Sequence, residues 1–558
     1  MEHLNHMGGI SYFPENPLVE LELVMYSSFL HEPTYYSPQK KEQSILCHDD
    51  EVKNYVLFPE HLSKSRQRIF YEAAQKAYDC DFKATLELAK RARQEFLMRK
   101  SPCELLAIGA SHRKRSDFNM ENPLFFRKIV QDVCMIPPDM VSILNSWKSL
   151  HGSKSKFPTI LKKAFCEILV NLKPYHLNKY RHPCIDMVRL CHPPGTPLLK
   201  ELMETGKIDV EEKDKKWETL MAEHGCWKKT MDELQWQMPH MAALRNICGF
   251  ARNIRKDELI EKYCQMLEGG VLTGKQFPFR YIMAQRAVKG SSNFFMNKKT
   301  GMKIYKKNIR NVHVAMIEKS LENCIQSSIQ NHPKLSGDTF VLSDNSGSAW
   351  GSFSSEYGEC TVADIGNISA LITALSCTGR GVIGFFGDTL LEYTVDKNLS
   401  FLENYKNINH LVGHEGKNVG GCTENGIWLF FKRAMKEPHK YRYDNLFCYS
   451  DMQAGQGKLY GCDPEMDPEW VWNPDGNVNQ YRSYIHVPKL LEHYRRSIHP
   501  KINVFTIQTG GYNDSILPLS TYRGAMFSSW TGRETIYAEK LIKLWNQIDL
   551  VQNPITKT

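Results

Sequence analysis

The stretch Val341-Leu342-Ser343-Asp344-Asn345-Ser346-Gly347-Ser348 decides how the rest of the chain is read. A short apolar strand runs into a carboxylate, and hydroxyls follow at alternate positions. Hard divalent cations such as Mg²⁺ take oxygen ligands in near-octahedral geometry, and an Asp with two hydroxyls on one tight turn presents three oxygens to one side. Gly347 lets the turn close. Taken alone, the same pattern also describes an ordinary strand followed by a loop.

Two further stretches supply more oxygens. Gly420-Gly421-Cys422-Thr423-Glu424-Asn425-Gly426 opens a helical run, and Asn445-Leu446-Phe447-Cys448-Tyr449-Ser450-Asp451 is a second apolar strand ending in a carboxylate. Asp344, Ser346, Ser348, Thr423 and Asp451 therefore fall at strand ends or on helix-opening loops, where open α/β sheets place ligand sites. Three such elements in this order resemble the metal-ion-dependent adhesion site of von Willebrand factor A domains. A divalent metal, Mg²⁺ first, is the expected cofactor, because soft ligands are absent and Cys422 neighbours Thr423 without taking its place.

The periodicity around these elements agrees. After residue 336, apolar strand candidates at Thr339–Ser343, Val382–Phe386, Leu446–Tyr449 and Ile502–Ile507 alternate with helical stretches at about 361–377, 424–436, 485–497 and 534–549. Alternating units of this spacing predict a doubly wound parallel sheet covered on both faces. Before 336 the pattern is helical. In Ile160–Leu169 the apolar residues recur at i, i+1, i+4, i+5 and i+8, while Lys162, Lys163 and Glu167 take the opposite face. Amphipathic segments of the same kind occur around 65–78, 82–98, 103–111, 123–135, 139–149, 230–236, 240–250, 257–267 and 311–330. Many helices without a convincing strand predict an α-solenoid-like stack, although no clean repeat of fixed period is present. The expected domains are 21–335 and 336–558, with the boundary near Asn331-His332-Pro333 and residues 1–20 read as a loose arm.

At 558 residues the chain is long enough for more than one core. Hydrophobic residues at 42% and charged residues at 24% are ordinary for a soluble globular protein. No run of about 18 apolar residues occurs, and Met1-Glu2-His3-Leu4-Asn5-His6 lacks the basic-then-apolar order of a signal peptide, so a cytoplasmic protein without a membrane span is expected. The sixteen cysteines are scattered singly, with no CxxC pair, and are read as reduced and mostly buried. Charge is uneven. Residues 1–335 carry 51 Lys and Arg against 38 Asp and Glu, and residues 336–558 carry 20 against 24. The basic part is the one to expect at a polyanion.

Residues 151–200 hold nine Lys and Arg against two acids. His176-Leu177-Asn178-Lys179-Tyr180-Arg181-His182, with Arg189 and His192, interleaves cations and flat rings, a mixture that neutralises phosphates and stacks on unpaired bases. A solvated helix end would look similar. Phe29–Tyr36, then Lys179-Tyr180-Arg181 followed by Met187-Val188-Arg189-Leu190-Cys191-His192-Pro193, then Met238–Asn246 and Phe277–Ala284, together resemble the TROVE module of the Ro ribonucleoproteins. That resemblance spans about residues 21–550. It implies a HEAT-like α-helical repeat ring followed by a von Willebrand factor A domain. It further implies binding of small noncoding Y RNAs on the basic outer surface, passage of the 3′ ends of misfolded RNAs through the ring, and a role in RNA quality control. By the same match, Lys179, Arg181 and His192 are the implied RNA contacts, while a family Arg just beyond Lys179-Tyr180-Arg181 has no clear counterpart.

Arg245 and Arg280 lie inside apolar-periodic helices and are expected to pair within the stack. The basic run from Asn297 through Arg310 could contact phosphate or be a solvated linker. Two stretches depart from the family, the 405–421 loop and the acidic, Trp-containing 452–484 segment, and surface insertion is the reading for both. No enzyme is expected. A phosphatase of the DxDx(T/V) type needs a second carboxylate where this chain has Ser346, and neither a GxxxxGK(S/T) loop nor an HExxH pair is present. Two functions stay open: a monomeric RNA-binding ribonucleoprotein whose metal site docks a protein partner, and a metal-dependent interaction scaffold whose basic half serves another anion.

Overall fold

The structure is a computed structural model. It describes residues 2–4, 10–12, 16–27, 36–37, 66–96, 98–208, 216–289, 294–296, 303–305, 308–329, 331–350, 352–355, 358–421, 423–450, 468–472, 484–509, 516–517, 521–527 and 534–552. Contacts divide the chain into two compact units, one made of residues 13–33 and 59–219 and the other of residues 1–12, 34–58 and 220–558.

The first unit is built of helices. Phe82–Gln94 is started by Asp81, whose carboxylate accepts from the Ala84 amide at 2.9 Å, and it ends with Arg91 and Arg93 in its last turn, where the helix dipole favours cations. Its apolar face, Phe82, Leu86 and Leu88, is buried. Helix Lys100–Ser111 is buried along every residue from Ser101 to Ala110, which makes it the centre of this stack. Close by, the buried Asp139 receives Arg93 at 3.1 Å and Arg99 at 3.4 Å, so a carboxylate taken out of water keeps two cations. Helix Thr159–Val170 buries Leu161, Ala164, Phe165 and Leu169, the face its periodicity predicts.

In the second unit β1 Thr339–Asp344, β2 Gly381–Phe386, β3 Leu390–Thr394, β4 Asn445–Ser450, β5 Asn503–Gln508 and β6 Gly524–Phe527 form one sheet. Its strand order is β3-β2-β1-β4-β5-β6. All neighbours are parallel except β3, which returns antiparallel along β2. Residues of β1, β2 and β4 are buried throughout, which is why these strands read as continuous apolar runs.

Helices α1 Val362–Ser376, α2 Phe401–Val412, α3 Thr423–Lys436, α4 Val487–Ser497 and α5 Glu534–Gln552 accompany the sheet. On one face Phe340, Leu342 and Val382 pack with Phe430, Phe431, Leu490 and Tyr494. On the other, Phe505 stacks between Phe447 at 4.8 Å and Trp545 of α5 at 5.5 Å. Burial of each such side chain contributes about 1.5–3 kcal/mol, so tertiary packing holds these helices more than their propensity does.

Two differences from expectation concern this sheet. The strand β3 makes it mixed, and α2 occupies much of the stretch expected as a loop over 405–421. Helix α2 begins with a reciprocal cap, Ser400 accepting from the Glu403 amide while Glu403 accepts from the Ser400 amide. Helix Asn311–Ile329 precedes β1, which starts at Thr339. The compact units divide elsewhere, because helices after 220 pack on the sheet's own helices. Arg286, from helix Pro278–Lys289, pairs with Asp364 of α1 at 2.8 Å and donates to the Tyr405 hydroxyl of α2 at 3.0 Å. His332 is buried and shares a 2.7 Å hydrogen bond with Thr535 of α5.

Candidate functional site

Strand order β2-β1-β4 makes β1 and β4 the neighbours between which the chain reverses its direction of winding, and ligand crevices open at the carboxyl ends of such strands. Asp344 ends β1 and Ser450 ends β4. Ser450 Oγ donates to Asp344 Oδ2 at 2.6 Å, and Ser346 donates to Asp344 Oδ1 from both its amide, 2.9 Å, and its Oγ, 2.6 Å. Asp344, Asn345 and Ser346 are each 1% exposed. The hydroxyl and amide hydrogens of Ser346 and the hydroxyl of Ser450 thus converge on both oxygens of this buried carboxylate.

The turn is held rigidly. Asn345 and Asn367 of α1 exchange amide hydrogen bonds at 2.8 and 2.9 Å, and Ser343 Oγ donates to the same Asn367 oxygen at 2.8 Å. The Asn345 amide donates to Phe386 O of β2 at 2.9 Å, and Trp350 Nε1 donates to Asn345 O at 3.2 Å. Helix α1 approaches this closely because of Gly366, where a Cβ would lie 2.9 Å from Ser343 Oγ. Of the five expected ligands, Asp344 and Ser346 are brought together. The side chains of Ser348 and Thr423, and all of Asp451, lie outside the described residues. Among the described residues no group of three or more His, Cys, Asp or Glu could hold a metal. Ser450 and Asn367 were missed by sequence reasoning. Ser450 could have been found as the neighbour of Asp451, whereas Asn367 carries no signal before the helix is placed.

In the helical unit, Lys179 ends helix Pro174–Lys179, and Arg181 starts helix Arg181–Cys191 after a break at Tyr180. His192 closes that second helix in the left-handed conformation, φ 54, which His tolerates better than most residues. Lys179, Arg181 and His192 are all exposed. A helix of this length separates Arg181 from His192 by about 16 Å. The three residues therefore mark two ends of one surface, and Arg189 lies in the last turn beside His192.

Around Lys179 the fold gathers groups that the sequence does not link. Lys179 Nζ donates to Tyr175 Oη at 2.9 Å, lies 5.8 Å from the Tyr180 ring centre and is 3.9 Å from Glu218. Lys216 Nζ lies 5.8 Å from the Tyr175 ring centre. The hydrogen bond to Tyr175 raises the Lys179 pKa, so its charge is secure at neutral pH. Burial, and then Lys173, Lys179 and Lys216, lower the pKa of His176 and keep its ring neutral. Arg181 Nε donates to His182 Nε2 at 3.3 Å.

Arg245 is exposed on helix His240–Asn253, and the Arg280 guanidinium lies 3.5 Å from Met241 Sδ. Phe29–Tyr35, Asn297–Met302, Lys306, Lys307, and most of 452–484 lie outside the described residues, as do the side chains of Tyr36 and Lys303. No helix among the described residues is long and apolar enough to cross a membrane.

No family model matches the chain, and no curated protein matches it. Its structure is similar to the crystal structure of the Deinococcus radiodurans RO (RSR) protein, with a TM-score of 0.58 at 10% identity, covering 94% of this chain and 100% of that one. The chain thus has the Ro fold, helical repeats followed by a von Willebrand factor A-like sheet domain.

Proposed function

We propose that the protein binds small structured noncoding RNA, of the Y RNA kind, through the exposed surface carrying Lys179, Arg181 and His192. The observation that carries this reading is the convergence of Lys179, Lys216, Tyr175 and Tyr180 at one end of that surface, within a fold shared with a Ro protein. Cations neutralise phosphates and half-buried rings offer faces to bases, so the cluster suits RNA better than a folded protein partner. Recognition of misfolded RNA 3′ ends in quality control, by a cytoplasmic monomer, is the role that fits this surface and the Ro likeness.

The sheet domain is the second arm of the proposal. Asp344 and Ser346 fit Mg²⁺ as oxygen donors on one rigid turn, with Ser348, Thr423 and Asp451 as the further ligands. A metal so held, with an open position, would take a carboxylate from a protein partner. The whole reading is one of binding without catalysis, since the acid/base position two residues after Asp344 is a serine. Crosslinking the protein to RNA in cells and sequencing what is attached tests it. Small structured RNAs joined to the 173–192 segment are expected; recovery of protein partners alone would favour a metal-dependent scaffold instead.

A further inference from the structure

We infer that Tyr175 is a stacking platform for one unpaired nucleobase of the bound RNA, with Lys179 and Lys216 on the phosphates beside it. This rests on the RNA-binding reading above. Tyr175 is half-buried, so part of the residue faces solvent. Lys179 Nζ is 2.9 Å from Tyr175 Oη yet 5.3 Å from the ring centre, which puts the ammonium at the hydroxyl edge and keeps it off the ring face. Lys216 reaches the same ring at 5.8 Å from a distant segment of chain, and the His176 ring is tilted beside it at 5.5 Å.

An aromatic ring with one ammonium at its hydroxyl edge and a second within 5.8 Å of its centre matches a nucleotide with its base on the ring and its flanking phosphates on the cations. Paired bases in an A-form helix offer no free face, so the ligand of this subsite is a single-stranded nucleotide next to a structured stem. Among the described residues, the Glu218 carboxylate is 3.9 Å from Lys179 and would compete weakly with phosphate there. Tyr175 precedes the Lys179-Tyr180-Arg181 motif, so the subsite extends the surface beyond the residues that the motif identifies.

The test uses the full chain and a hairpin RNA with a short single-stranded tail, in which one base at a time is replaced by 2-aminopurine. Wild-type protein is expected to bind with salt-dependent affinity and to quench the fluorophore at one tail position. Tyr175→Phe keeps the ring and should bind within about twofold, because stacking needs the π-face and not the hydroxyl. Tyr175→Leu keeps apolar volume without that face. It should lose roughly 5- to 100-fold in affinity, together with the quench, at an unchanged salt slope. Lys216→Ala should lower the slope by about 1. Thermal melts of each variant establish that it is folded. A Leu variant that keeps the quench, or binds within about twofold of wild type, overturns the subsite and leaves the RNA reading standing. A Phe variant as damaged as the Leu variant overturns it too, since the hydroxyl's hold on Lys179 would then be what matters. Absence of salt-dependent binding by the wild type overturns the RNA reading and the subsite together.

Discussion

The turn at Asp344 and the surface at Lys179 are both polar, but they are built by opposite means. At the turn, three consecutive polar residues are 1% exposed and held by a closed set of hydrogen bonds through Asn367 and Ser450. At the surface, Lys179 and Arg181 are exposed, and Lys216 and Glu218 join Tyr175 and Lys179 from a separate stretch of chain. A buried polar site draws its geometry from satisfied hydrogen bonds, because each unsatisfied group is costly. An exposed site draws its affinity from charge, which water and salt weaken. The buried region should therefore respond to pH and to single hydrogen-bond deletions, and the exposed one to ionic strength.

The largest effect should be at His332, a buried polar group of the same compact unit as the turn. Burial, then the charge of Lys334, lowers the pKa of His332 to about 4. The neutral form is thus the folded one, and the unfolded chain binds the extra proton at its ordinary value near 6.5. Stability from this group is complete above about pH 6.5 and is lost as pH falls toward 4, by about 3 kcal/mol over the window. Urea unfolding of the wild type and His332→Gln across that range should show a steeper slope in the first than in the second. Equal slopes would mean that another group is responsible.

Asn367→Ala should cost slightly less. It strands Asn345 Oδ1 and Ser343 Oγ, two buried polar atoms, and so should destabilise the sheet domain by about 2–3 kcal/mol. Denaturant midpoints measure the loss, and a shift under about 0.5 kcal/mol would mean that water replaces the amide.

Much of the buried region was legible in the sequence, for a physical reason. Parallel strands covered on both faces must be apolar throughout, so Val341–Asp344 and Leu446–Ser450 stand out and their ends locate the site. Strand Leu390–Thr394 was not legible because it is an edge with Glu392 and Thr394 in only five residues. Helix Phe401–Val412 was obscured by Asn404, Asn407 and Asn409, although Phe401, Tyr405, Ile408 and Val412 carry a helical period and Ser400 with Glu403 forms its cap. At the surface, Lys179, Arg181 and His192 could be found as a motif, but their mutual distance could not. Lys216 reaches Tyr175 only through tertiary packing, which no local pattern records.

The exposed region should respond more gently. The double variant Lys179→Ala with Arg181→Ala is expected to weaken small structured RNA by about tenfold, and to reduce the dependence of log K on log salt by about 2, without lowering the melting temperature. An unchanged slope would place the phosphate contacts elsewhere.

The central claim is that RNA is bound by the basic helical surface, independently of the Asp344 turn. It is tested most directly by titrating one small structured RNA into wild type and Asp344→Ala at constant Mg²⁺ over a series of salt concentrations. The account predicts a steep fall of affinity with salt, with a slope of several counterions, and the same line for both proteins once each is known to be folded. A flat line for the wild type, or a folded Asp344→Ala protein that has lost its RNA, would contradict it.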